Sequence, residues 1–353
     1  MMYDSPSPSS ATPHHSTDPP RRSLVPDRIS VAVDYWVIDE TGDVADPARV
    51  AEIPGASAGT TPHSIAVETP PTDHCGDLRE HLEGRLRTAV AVAHELECRL
   101  LPLGLRPDLL ADSDAESGET DQPPPTATAS TRITFDVDPE AAVDVYNILL
   151  ALDPAFALLN TTQWSTGDQQ FTCGRTAVQN RDHRVAPYRT EGNADPLGVD
   201  GEDRKPDTTD GEDRETDGWQ PVRLLEAGRI EWRALDATTP TLLVDLIADV
   251  VSILRQASTC RLSVESFGNG FDVGCLCLPT RRWREIYAEQ AAHRGADSVV
   301  LRAYLDRLGI DTGWYLAAAP PAVGTASGDS VSGLCRARAA LLEADVGVPQ
   351  PAG

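Results

Sequence analysis

Ile29-Ser-Val-Ala-Val-Asp-Tyr-Trp-Val-Ile38 is the stretch from which the fold can be read. It holds no Pro or Gly, and its β-branched and aromatic residues favour an extended backbone. Apolar side chains occupy both alternating sets of positions, as in an interior strand covered on two sides. Only Ser30 and Asp34 interrupt them. Glu40-Thr-Gly-Asp43 then supplies turn residues that end the strand.

Working outward, His63 to Thr69 reads as a second strand, stopped by Pro70-Pro71. A long helix is expected from about Gly76 to Leu101, with Leu78, Leu82, Leu86, Ala89, Ala93, Leu96 and Leu100 on one stripe. Thr131 to Val137 reads as a third strand, and Asp138-Pro139-Glu140 opens a helix to about Leu152. Asp153-Pro154 restarts a second helix ending near Asn160. Arg229 to Leu235 is a further strand, followed by a helix opened by Thr239-Pro240. Cys260 to Leu278 alternates around Gly268-Asn-Gly270, a hairpin signal. Helices are expected over Arg281 to His293 and Asp297 to Leu308, the second stopped by Gly309. These elements make an α+β protein.

The chain has 353 residues and a formal charge of −25, from 55 acidic residues against 30 basic ones. Lys205 is its lone lysine. Acids spread over every segment read as a solvated coat suited to molar salt, where screening cuts repulsion to about 3 Å. So negative a field excludes nucleic acid as a partner, because phosphate neutralisation needs clustered basic residues. The 7 cysteines are odd in number and scattered, which suits reduced thiols in a cytoplasm. Cys275-Leu-Cys277 lacks the further ligands of a zinc site and reads as alternating strand residues. No run of 18 apolar residues is present, so no membrane span is expected, nor does the N-terminus read as a secretion signal.

Composition also divides the chain. Residues 1–28 are rich in Ser, Pro, Thr and His and are expected to be disordered, and 112–130 and 190–218 read as solvated insertions. The remainder of 29–320 would form one core, with 321–353 as a C-terminal helix and tail.

Several strands carry polar residues that do not suit a plain core: Asp34, Glu68, Arg132, Thr134, Asp136, Glu231, Arg233 and Asp236. Glu231 and Arg233 are two apart and so share a face. A carboxylate beside a guanidinium suits a metal–phosphate site, although the same pair also makes an ordinary cross-strand ion pair. Walker-type and dinucleotide-binding glycine motifs are missing. His94 lies in a core-packing helix and reads as structural or surface; Cys173 reads as buried.

Taken in order, Val33-Asp-Tyr-Trp-Val-Ile-Asp39 with Thr41-Gly42, Val67-Glu-Thr-Pro-Pro71 and Ile230-Glu-Trp-Arg233 resemble the strand motifs of the glutamate–cysteine ligase family. Leu152-Asp-Pro-Ala-Phe-Ala-Leu-Leu-Asn160 with Thr161-Thr162, Gly167 followed by Arg175, Trp219-Gln-Pro-Val-Arg223 and Tyr304-Leu-Asp-Arg-Leu-Gly309 add to the resemblance. It implies a glutamine-synthetase-like curved, mainly antiparallel sheet with helices on its outer face. It also implies an ATP- and Mg²⁺-dependent reaction. ATP would phosphorylate the γ-carboxylate of glutamate, and the amine of cysteine would attack the acyl phosphate, yielding a small thiol. Carried over, Asp34, Glu68 and Glu231 would be metal ligands. Arg233 would face the phosphates with Arg132 and Asp136, and Arg175 would hold a substrate carboxylate or a phosphate.

The chain departs from the family's pattern at three places. Asp34 stands where the family carries Glu, Arg132-Ile-Thr134 replaces a His-x-His strand, and Gln163-Trp-Ser165 replaces a Pro-aromatic segment. A catalytically silent paralogue that binds ligand or modulates a true ligase is therefore the alternative reading.

Overall fold

The computed structural model describes residues 22–106, 128–159, 164–166, 169–171, 187–189, 220–318 and 328–349. Its organising element is β1 (Arg28–Asp39), the strand anticipated from Ile29 to Ile38. It is flanked by β3 (Ser64–Glu68) on one side and by β5 (Ser130–Asp136) on the other. A short β2 (Ala56–Ala58) extends the sheet beyond β3, and β9 (Arg229–Asp236) and β8 (Val222–Leu224) extend it beyond β5. β4 (Cys98–Leu101) pairs with the end of β1 that β5 does not reach. Every pairing in this seven-stranded sheet is antiparallel.

The two sheet faces differ as the alternation requires. Val31, Val33 and Tyr35 of β1, Ile133 and Phe135 of β5, and Ile230 and Trp232 of β9 are all buried. A fully buried aliphatic or Phe side chain contributes about 1.5–3 kcal/mol, so this face supplies much of the core. Over it lie α1 (Cys75–Glu95), α2 (Ala142–Leu159) and α3 (Pro240–Ala257). Trp232 fixes one contact: its ring meets Phe156 of α2 edge-on at 5.9 Å, and its indole N–H donates to Asp153 Oδ1 at 2.6 Å.

A second unit of sheet follows, with β10 (Arg261–Glu265), β11 (Phe267–Asp272) and β12 (Cys275–Pro279) in the order β10-β12-β11. After it come α4 (Arg281–His293), α5 (Val299–Arg307), α6 (Thr312–Ala318) and α7 (Gly328–Asp345). A two-stranded ribbon is formed by β6 (Trp164–Thr166) and β7 (Gln169–Phe171). The α+β expectation holds. Among the described residues no helix is long and apolar enough to cross a membrane.

Four expectations are corrected. The first helix stops at Glu95, because Glu97 takes a left-handed backbone (φ 56°) and turns the chain into β4. Leu100 continues the helical spacing but belongs to a strand, opposite Val37. The helices on either side of Pro154 are one continuous helix. Its flanks are buried, and the Trp232–Asp153 hydrogen bond holds the turn at the proline, which offsets a lost N–H donor.

Gly268-Asn-Gly270 is not a hairpin turn: it lies inside β11, and the reversal falls at Val273-Gly274 between β11 and β12. β10 pairs with β12 in parallel. Finally, the packed core includes a residue before Ile29: Leu24 is buried, and its amide donates to Ser258 Oγ at 2.9 Å. The insertions fall almost wholly on residues outside those described.

Candidate functional site

The polar residues of the main sheet gather on the face opposite the helix layer. Strand pairing sets this directly. Ala32 of β1 lies between Glu68 of β3 and Arg132 of β5, and Thr134 lies opposite Glu231 of β9, which in turn faces Arg223 of β8. Directly opposed residues share a face, and residues two apart stay on it. Asp34, Glu68, Arg132, Thr134, Asp136, Glu231 and Arg233 therefore all project to one side.

Within that face the residues have different surroundings. Asp34 is fully buried; its Oδ2 accepts from Thr60 Oγ1 at 2.7 Å and from Ser130 Oγ at 3.0 Å, while Oδ1 is buried without a hydrogen-bond partner. Glu68 sits at the open end of β3, its side chain 54% exposed, with Oε1 4.0 Å from Arg132 Nη2. Asp136 has both oxygens engaged, Oδ2 with Arg28 at 3.0 Å and Oδ1 with Arg229 at 3.4 Å, so it ties three strand ends together. Glu231 lies 3.7 Å from Arg233 Nη1, both side chains about one-fifth exposed. Arg175 and Cys173 lie outside the described residues. His94 is in α1, 3.1 Å from Glu343, in the structural role expected of it.

A divalent cation needs several oxygens converging on one point. Among the described residues no group of three or more His, Cys, Asp or Glu side chains is placed to hold a metal ion. Asp34, Glu68 and Glu231 share a face but not a point. Arg132, on β5, one of the two strands between Glu68 and Glu231, brings a fixed positive charge to the intervening surface. The described residues do not fit a shared Mg²⁺.

They do suit an anion. Burial disfavours the charged form of Arg233 most; Glu231 opposes that effect, and the nearby Arg223 and Arg132 charges add to it, so the net shift is downward. Arg132 Nε is buried without a hydrogen-bond partner. Guanidinium groups under mutual repulsion, with a donor unmatched, gain free energy when a phosphate or carboxylate joins them.

No described protein family matches this chain, and no curated protein is similar to it. Solved structures resemble it loosely. A bifunctional glutathione synthetase from Pasteurella multocida aligns over 92% of the chain with 11% identity and a TM-score of 0.44. The ligase PafA, in complex with the prokaryotic ubiquitin-like protein Pup, aligns over 93% with 8% identity and a TM-score of 0.43. Glutamate–cysteine ligase from Francisella tularensis, in complex with AMP, aligns over 93% with 9% identity and a TM-score of 0.37. The chain spans 53% of the first of these, 65% of the second and 96% of the third. Correspondence this loose leaves the functional reading to the residues of the sheet face.

Sequence reasoning gave no role to Arg223, a further arginine of that face. Its place depends on β8 pairing with β9 in a register that sets Arg223 against Glu231. The sequence signal was the Pro-Val-Arg tripeptide, whose partner strand cannot be read from local pattern.

Proposed function

We propose that the polar sheet face binds the phosphates of ATP, and that this chain is an ATP-dependent carboxylate–amine ligase of the glutamate–cysteine ligase type on a glutamine-synthetase-like curved sheet. The observation that carries this reading is the convergence of Arg132, Arg223 and Arg233 on one partly buried face beside Glu231. A phosphoryl group moving from ATP to the γ-carboxylate of glutamate spreads negative charge over its oxygens. Fixed guanidinium donors in a partly dry site offset that charge without reorganising. Arg233 and Arg132 would grip the transferring phosphate, with Arg223 at the open edge, and cysteine would supply the amine that attacks the acyl phosphate. The ordered motifs from Val33 to Gly309 support the same assignment. No step is routed through Mg²⁺, because the three carboxylates do not gather.

That same lack of a metal group among the described residues favours a second reading, a paralogue that binds nucleotide without turnover. One experiment separates the two. The purified chain in molar KCl is given ATP, Mg²⁺, glutamate and cysteine; a ligase releases ADP when both amino acids are present. A silent paralogue shows a nucleotide-dependent rise in Tm, lost in Arg132→Ala and Arg233→Ala, and releases no ADP. Neither a Tm rise nor ADP release would remove both readings.

A further inference from the structure

We propose that Cys275 and Cys277 form a dithiol–disulfide exchange site that reacts with low-molecular-weight disulfides. The two residues alternate on β12, the central strand of the small sheet, and point to the same face. Their sulfurs are 3.7 Å apart. Strand residues two apart have Cα atoms about 6.6 Å apart, within the range a disulfide tolerates and at its long end. Closing the bond needs side-chain rotation and a small tightening of the pleat.

The neighbouring groups divide the labour. Cys275 is half-buried and Cys277 is buried beside it, so the disulfide reaches Cys275 first. The Cys275 thiolate attacks one sulfur of the small disulfide RSSR. A bond forms between Cys275 Sγ and that sulfur, the S–S bond breaks, and RS⁻ leaves and takes up a proton. Cys277 then attacks Cys275 Sγ and expels the second RS⁻. The protein loses two hydrogens and two electrons, and RSSR becomes two RSH.

Cys277 must lose its proton for the second step. Its Sγ–H donates to Glu265 Oε1 at 3.3 Å, and Asn269 Nδ2 holds the other oxygen of that carboxylate at 2.7 Å. The proton acceptor is therefore in place and oriented. Ser263 Oγ is 3.1 Å from Cys275 Sγ and 3.4 Å from Cys277 Sγ, within reach of either developing thiolate. Burial first, then Glu265 and Cys275, push the Cys277 thiol up to about 11 against a lowering by Ser263. Cys275 and Cys277 lie on a face the ligase reading does not use, and the inference does not depend on that reading.

The test incubates the full-length, folded chain with hydroxyethyl disulfide, quenches with an alkylating reagent and maps the products by mass spectrometry. The expected product is an unalkylated peptide spanning Cys275 and Cys277, lighter by two hydrogens. In Cys277→Ser the mercaptoethanol adduct accumulates on Cys275 instead. Wild-type protein carrying two adducts, one per cysteine, would overturn the proposal. So would oxidation of Cys75, Cys98 or Cys260 ahead of this pair, or an unreacted pair after the others are consumed.

Discussion

Arg99 grips Glu343 with two parallel hydrogen bonds, Nε to Oε1 at 2.7 Å and Nη2 to Oε2 at 2.6 Å, while His94 lies 3.1 Å from Oε1. Glu343 is 1% exposed. A buried carboxylate held in this way joins α7 to β4 and α1, and removing Arg99 leaves its charge buried with His94 as the remaining partner. Arg99→Ala is expected to cost about 3–5 kcal/mol in denaturant unfolding. A cost under about 1 kcal/mol would mean that α7 is not anchored there.

Asp39 caps the turn after β1. Its Oδ1 accepts from Thr41 N at 2.9 Å, Thr41 Oγ1 at 2.7 Å, Gly42 N at 3.0 Å and Asp43 N at 3.0 Å. Slight burial alone would raise its pKa, but these donors outweigh it and the net shift is downward. A carboxyl whose folded pKa is depressed stabilises above its unfolded value, near 3.9, and loses that contribution as pH falls through the folded value. Asp39→Asn is therefore less stable than wild type at neutral pH, and the Tm difference narrows below about pH 4. Parallel Tm curves down to the acid limit would contradict this.

Gly270 has φ +67°, and a Cβ there would stand 2.6 Å from the carbonyl oxygen of Arg307. Gly274 has a similar φ of +64° with nothing within 4 Å of its Cβ position. Gly274→Ala costs only the left-handed backbone, about 1 kcal/mol, and Gly270→Ala costs about 2–3 kcal/mol because α5 must also shift. Equal costs would show that β11 does not press on α5 at that point.

Charge sets the solvent requirement. With a formal charge of −25, self-repulsion acts over about 10 Å at 0.1 M salt and about 3 Å at 1 M. Tm is expected to rise steadily with KCl across that interval, and a flat response would remove the salt-adapted reading.

How much was legible follows from range. β1, β9, α3 and α4 were readable because β-branched apolar runs, alternation and Pro or Thr caps are local signals. The shared polar face was readable too, since alternation alone sorts Glu231 and Arg233 to one side of a strand. Register was not. Arg132 between Glu68 and Glu231, and Arg223 against Glu231, follow from which strands neighbour one another. For the same reason the carboxylates could be assigned a common side but not a common point. Gly268-Asn-Gly270 misled because its positive φ values serve close contacts with Pro279 and Arg307 rather than a reversal.

The neighbours of β1 have a kinetic consequence. Its partners come from residues 64–68, 98–101 and 130–136, and β4 is in turn sealed by α7 at 328–345. Few contacts of this strand are local, so much chain entropy is surrendered before its hydrogen bonds form. Refolding from denaturant should be slow, and the half-assembled sheet, exposing Val33 and Tyr35, would be the species most prone to self-association.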